Sequence, residues 1–309
     1  MRLVIALGGN ALLRRGEPLT AANQARNVEI AATALAPVLE AGHQLVITHG
    51  NGPQVGLLAL QGEAYGEGSA FPLDVLGAET EGMIGYLLER ALANVCGPGR
   101  EFATLLTQIA VSPTDPAFLA PTKPVGPVYS EIEARAMATA RGWQVARDGK
   151  GWRRVVPSPK PLRILELGTI RRLVDLGVTV ICAGGGGIPV MEREDGSLVG
   201  VEAVIDKDLA SALLADALEA DGLLLLTDVE GVFRDWGTPS AALAPSLTPD
   251  DFEGMALAAG SMGPKVAAAG IFAARPGRFA AIGALGDAAA LLDGAAGTRI
   301  QAAAEAATA

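Results

Sequence analysis

Short runs of aliphatic residues alternate along this chain with longer stretches whose apolar positions recur every three or four residues. Leu3 to Leu7 is apolar throughout and ends in Gly8-Gly9-Asn10. A helical period follows from about residue 20 to 40 and stops at Gly42. Leu45-Val46-Ile47 is a second apolar run, meeting His49-Gly50-Asn51-Gly52-Pro53-Gln54. Helical periods return from about Val55 to Glu63 and from Leu73 to Ala93, and Phe102 to Ile109 reads as one further strand. Val178 to Ala183 runs into Gly184-Gly185-Gly186-Gly187, and Gly222 to Leu226 into Thr227-Asp228. Phe279 to Ile282 is predicted to be the last central strand. Strands apolar on both faces, alternating with amphipathic helices, predict an α/β fold. The expected form is a three-layer αβα sandwich around a mostly parallel central sheet.

Two regions break the alternation. Residues 112–162 are rich in proline, charge and tryptophan, with helical period only from about Ile132 to Arg141. So long an insert in a compact α/β domain predicts a protruding lid subdomain. Arg193-Glu194-Asp195-Gly196 predicts the turn of a small hairpin between Val190-Met191 and Leu198-Val199. We read residues 1–309 as a single domain with two lobes, over 1–190 and 191–309. The alanine-rich tail after Ile300 is expected to form a loose terminal helix.

Composition narrows the function. Half of the 309 residues are hydrophobic, ample for a large core, and the formal net charge is −10 without any basic run. That argues against nucleic acid or an anionic membrane as partner. The two cysteines, Cys96 and Cys182, show no paired spacing, so neither a disulfide framework nor a zinc site is indicated. No signal peptide or membrane-length apolar run is visible, and a cytoplasmic protein is expected.

The candidate chemistry lies in glycine clusters and lysines. Three glycine clusters follow apolar strands, where ligands of open α/β sheets bind and where glycine lets backbone N–H groups approach a phosphate. Neither the dinucleotide fingerprint nor the P-loop occurs, and the protein-kinase loops are missing. Nineteen arginines stand against five lysines, and none of the lysines precedes Lys123. Lys207 follows Asp206, a candidate N-cap, and Lys265 follows Pro264, which suits a first helical position. A lysine at a positive helix N-terminus is unfavourable unless an anion sits between them. Two such lysines suit a polyphosphate site, with Asp208 holding them by ion pairing.

Gly8-Gly9-Asn10-Ala11-Leu12, His49 to Gly56, Pro121-Thr122-Lys123-Pro124-Val125-Gly126-Pro127, Gly151 to Pro161, Gly184 to Pro189, Gly200 to Asp208 and Gly260-Ser261-Met262-Gly263-Pro264-Lys265 resemble the motifs of carbamate kinases, in the amino-acid kinase superfamily. The resemblance runs from Leu3 to about Ile300; Arg234 to Leu247 carries no motif of it. It implies the amino-acid kinase fold and reversible transfer between ATP plus carbamate and ADP plus carbamoyl phosphate, at the end of arginine breakdown. It also implies a cytosolic homodimer using magnesium, held mainly through the nucleotide phosphates, with no protein ligand assigned. By motif, Lys123 would reach carbamoyl phosphate from the lid. Lys207 and Lys265 would grip the phosphoryl groups, oriented by Asp208. Gly8, Gly9, Asn10, Gly50, Asn51 and Gly52 would donate to the substrate. Asp206, Thr227, Asp228, Val229, Met262 and Pro264 would line the nucleotide. Carbamate is already an anionic nucleophile, so no general base is required and positioning carries the chemistry. The rivals are a kinase for N-acetylglutamate or a nucleoside monophosphate, and a phosphate-ligand sensor without catalysis.

Overall fold

A computed structural model describes residues 1–309 except 15, 67, 68, 70, 253, 254, 256–261 and 304–309, and the backbone alone at 10 and 11. Eight strands form the central sheet, in the order Ser246–Leu247, Thr298–Ile300, Phe279–Ala284, Gly222–Thr227, Arg2–Leu7, Gln44–His49, Thr179–Ile181, Phe102–Thr104. All neighbours run parallel except Phe279–Ala284 against Thr298–Ile300.

Alternate residues of each strand enter opposite layers, as strand geometry requires. Val4, Val46, Val180, Leu223 and Ile282 pack with Ile170, Leu214 and Phe272 from the helices Leu167–Asp175, Lys207–Ala217 and Met262–Ala273. Leu3, Ile5, Ile47, Leu224 and Ala281 pack on the other face with Leu35, Ile84 and Leu291 from the helices Ala21–Glu40, Leu73–Cys96 and Ala288–Leu292. With both faces covered, the carboxyl edge of the sheet is left to the loops.

Three expectations need correction. Phe102 to Ile109 is two strands: Phe102–Thr104 joins the central sheet, and Gln108–Ala110 joins a four-stranded sheet with Arg163–Ile164, Ile188–Glu192 and Leu198–Gly200. The break is Thr107, whose N–H donates to Glu81 at 3.0 Å and whose hydroxyl donates to Leu105 carbonyl at 2.9 Å. These bonds compete with the ladder and turn the chain out of the sheet. Second, the last central strand is Thr298–Ile300, beyond Phe279–Ala284. Third, Pro264 stands third in the described helix Met262–Ala273, with Lys265 fourth. Proline is tolerated there because the first turn has no intrahelical acceptors for its N–H groups.

Within the insert, Lys123–Tyr129, Gly151–Val156 and Gln144–Asp148 form an antiparallel sheet, flanked by the helix Glu131–Arg141. Ser130 and Glu133 close a capping box at its start. The hairpin turn falls at Arg193 to Gly196, with Met191 opposite Val199. Of the tail, Gln301 to Ala303 are without helix, and the rest lies outside the described residues. Among the described residues no helix is long and apolar enough to cross a membrane.

Candidate active site

Four loops leave the sheet side by side, because the parallel register aligns Leu7 with both His49 and Leu226, and Ile47 with Ile181. They carry Gly8-Gly9, Gly50 to Gly52, Gly184 to Gly187 and Thr227-Asp228. The Gly8 and Gly50 amides donate back to Leu226 and Leu7 carbonyls, both at 3.0 Å. Those two N–H groups brace the loops and are not turned to a ligand, contrary to the sequence expectation. Gly9 and Gly52 instead begin the helices Gly9–Leu12 and Gly52–Tyr65, where N–H groups have no intrahelical partner. A side chain at Gly50 would place its Cβ 3.1 Å from Gly9 Cα, so the first two loops touch through glycine alone. Gly185 has φ +67° and leaves its Cβ position to the buried Asn51 carboxamide, which donates to Thr80 Oγ1 at 2.9 Å. The Asn10 side chain, Gly260 and Ser261 lie outside the described residues.

Opposite these loops stands a charged cluster. Asp206 caps the helix Lys207–Ala217 by accepting from the Asp208 N–H at 2.9 Å. Its second oxygen receives Lys123 Nζ from the insert at 2.6 Å. Asp208 bridges two lysines, accepting Lys207 Nζ at 2.5 Å on one oxygen and Lys265 Nζ at 3.0 Å on the other. All three of Lys207, Asp208 and Lys265 are buried, at 9%, 5% and 8% exposure. Burial alone would raise the Asp208 pKa, but the two ammoniums hold its carboxyl well below the usual carboxylate range. Burial lowers the Lys207 pKa, opposed by Asp208 and reinforced by Lys265. The helix is pinned to the sheet by Ser211, whose hydroxyl meets Thr48 Oγ1 at 2.7 Å.

The remaining sequence candidates are spread around this cluster. Thr227 ends the strand Gly222–Thr227, and its hydroxyl donates to Asp228 at 3.2 Å. Val229 follows in the same loop, and Met262 and Pro264 lie on the first turn of the Lys265 helix. Lys160 and Lys150 are exposed.

Sequence reading missed Glu81. It is fully buried on the helix Leu73–Cys96 and accepts the Gly184 N–H at 2.7 Å and the Thr107 N–H at 3.0 Å. An acid within the apolar stripe Leu76, Thr80, Glu81, Ile84, Leu88 was the available signal. Burial pushes its carboxyl up to about 8, against those two hydrogen bonds. His49 is equally buried and held down to about 4 by that burial, with Lys207 adding to the effect. A raised carboxyl pKa stabilises the fold below the unfolded value of about 4.3, and the contribution is lost as pH rises towards 8. Glu81→Gln should therefore flatten the fall in melting temperature between pH 5 and 8; an unchanged slope would remove Glu81 as its source.

The amino acid kinase family matches residues 1–281 of the chain. Carbamate kinase of Haemophilus influenzae is 54% identical over 97% of this chain and 96% of its own. That of Rhizobium meliloti is 57% identical, over 97% and 93%. The structure of carbamate kinase from Giardia lamblia bound to AMP-PNP superposes with a TM-score of 0.88 at 44% identity, over 98% of both chains.

Proposed function

This chain belongs to the carbamate kinases of the amino acid kinase family, and on that premise we propose that it works in the ATP-forming direction, taking carbamoyl phosphate and ADP to carbamate and ATP at the end of arginine breakdown. A β-phosphate oxygen of ADP attacks the phosphorus, the bond to the carbamoyl oxygen breaks, and carbamate leaves with the electron pair. In the reverse direction carbamate is already ionised, so no base is needed. Positioning and charge neutralisation carry the reaction.

The observation that supports this most is the buried Asp208 carboxylate shared by Lys207 and Lys265 at two helix starts. It holds two ammoniums together where a phosphoryl group would separate them. Lys207 and Lys265 grip the transferring group and the nucleotide phosphates, and Asp208 sets their spacing. Lys123 exchanges Asp206 for carbamoyl phosphate as the lid, residues 112–162, closes and shuts out water. Gly9 and Gly52 offer N–H donors, with Asn10 and Asn51 beside them and Gly8 and Gly50 bracing the loops. Thr227, Asp228, Val229, Met262 and Pro264 line the nucleotide, which sits on the 191–309 lobe across from the 1–190 lobe.

Magnesium, bound to the nucleotide phosphates, would neutralise charge on the transferring group. In the resting cluster Asp206 and Asp208 offer it no free oxygen. Both Asp208 oxygens face lysines, and both Asp206 oxygens are engaged. Among the described residues no group of three acids, histidines or cysteines converges. The same reading carries a cytosolic homodimer.

Purified protein given carbamoyl phosphate and ADP should form ATP, followed by a coupled assay. No ATP from that pair, with ATP consumed on N-acetylglutamate, would replace carbamate as the substrate. Tight ADP binding with no transfer in either direction would favour a sensor.

A further inference from the structure

Gln54 is 2% exposed, and neither its Oε1 nor its Nε2 has a hydrogen-bond partner. Among the described residues no other side chain is left with both ends of an amide unmet in this way. Buried polar atoms are rarely abandoned, because each costs its full desolvation without return. An amide orphaned at both ends needs a partner that both donates and accepts.

Its position says where that partner would sit. Gln54 is the third residue of the helix Gly52–Tyr65, whose N-cap is Asn51. Helix side chains lean towards the N-terminus of their own helix, here the end that carries Asn51 and the second glycine loop. The two residues that follow Gln54 lie against the insert. Val55 packs with Val125 and Val156, and a Cβ on Gly56 would stand 2.3 Å from Gly126 Cα. Gly126 shares its strand with Lys123. Gln54 therefore sits at the start of a helix that runs from the loop that would hold the substrate to the strand that carries the lysine. A second orphan, His49 Nε2, borders the same loop.

We propose that Gln54 is the specificity-determining residue for the amide end of the substrate, pairing its carboxamide with the carbamoyl N–H and C=O. This rests on the carbamate reading above. The carbamoyl group is planar and presents a donor beside an acceptor, the complement of a primary carboxamide in either flip. An acetyl group has the same shape but offers a methyl where the amino group stands, so it cannot satisfy the Gln54 oxygen. A site built to hydrogen-bond a substrate N–H discriminates strongly against an analogue without it.

The test uses the full chain, ATP formation from carbamoyl phosphate and ADP, and acetyl phosphate as competitor. Gln54→Leu should raise the KM for carbamoyl phosphate about 10–100-fold. The inhibition constant of acetyl phosphate should rise less, by about 2–10-fold, because that ligand loses only the bond to its carbonyl. The KM for ADP should not move. Gln54→Met, similar in length and lacking both amide groups, should show the same selective loss if the leucine variant fails to fold. Equal weakening of carbamoyl and acetyl phosphate, or a change confined to ADP, would overturn the assignment. Wild-type protein inactive on carbamoyl phosphate would instead sink the carbamate reading itself.

Discussion

Lys207→Ala should lower kcat by about 10²–10³, roughly 3–4 kcal/mol of transition-state stabilisation, while leaving the protein folded. The magnitude follows from its setting. The Lys207 ammonium is buried and fixed by Asp208 at 2.5 Å, so it meets developing charge without reorganising. Water cannot substitute for it in so enclosed a place. Lys265 still neutralises Asp208 in the variant, which keeps the fold from collapsing around an unpaired carboxylate. Lys207→Arg should be nearly as poor. A planar fork cannot occupy the point position between Asp208 and a phosphoryl oxygen. Single-turnover kinetics would separate the chemical step from binding. An arginine variant with near-normal kcat would show that charge alone suffices, and the geometric account of this lysine would fall.

Asp208→Asn should destabilise the fold by about 3–5 kcal/mol, because it leaves two buried ammoniums facing a neutral amide. The sign with pH follows from the depressed carboxyl pKa. The carboxylate's contribution is present above the unfolded pKa of about 3.9 and is lost as pH falls towards the lower folded value. The gap between wild type and variant, read from urea midpoints, should therefore be full at pH 7 and shrink in acid. Nucleotide should narrow it too, since bound phosphates supply the missing negative charge and stabilise the variant more than the parent. A gap below about 1 kcal/mol at pH 7 would mean that the two lysines never depended on Asp208.

The centre of the sheet and three of its loops were legible because Arg2–Leu7, Gln44–His49 and Thr179–Ile181 are apolar at their cores and run on into glycine clusters. The paired lysines were legible because arginine supplies almost every other positive charge. The insert's strands were not. Its prolines and charges hide the alternation in Lys123–Tyr129 and Gly151–Val156, a sheet whose pairing is set by tertiary contacts. Phe102 to Ile109 looked like one strand because its break depends on Glu81, far away in sequence but 3.0 Å from the Thr107 N–H. Gln54 had no pattern to betray it: a glutamine in a first helical turn is ordinary until its burial and missing partners are known. The amides of Gly8 and Gly50 likewise looked available to a ligand, and only the sheet register shows that they are spoken for.

The ion pair between Lys123 and Asp206 bears on how the nucleotide arrives. Three ammoniums at the site face two carboxylates, so the resting cluster carries only a single excess positive charge, within a chain of net charge −10. Long-range attraction that speeds polyanions towards many phosphate sites is therefore largely cancelled here. Encounter runs close to an unsteered search, and added salt has little favourable field to screen. Grip develops only at short range, once carbamoyl phosphate takes Lys123 from Asp206 while Asp208 keeps the other two lysines in place. Selection among passing anions is thus exercised on the complex that forms and not on the collision that precedes it.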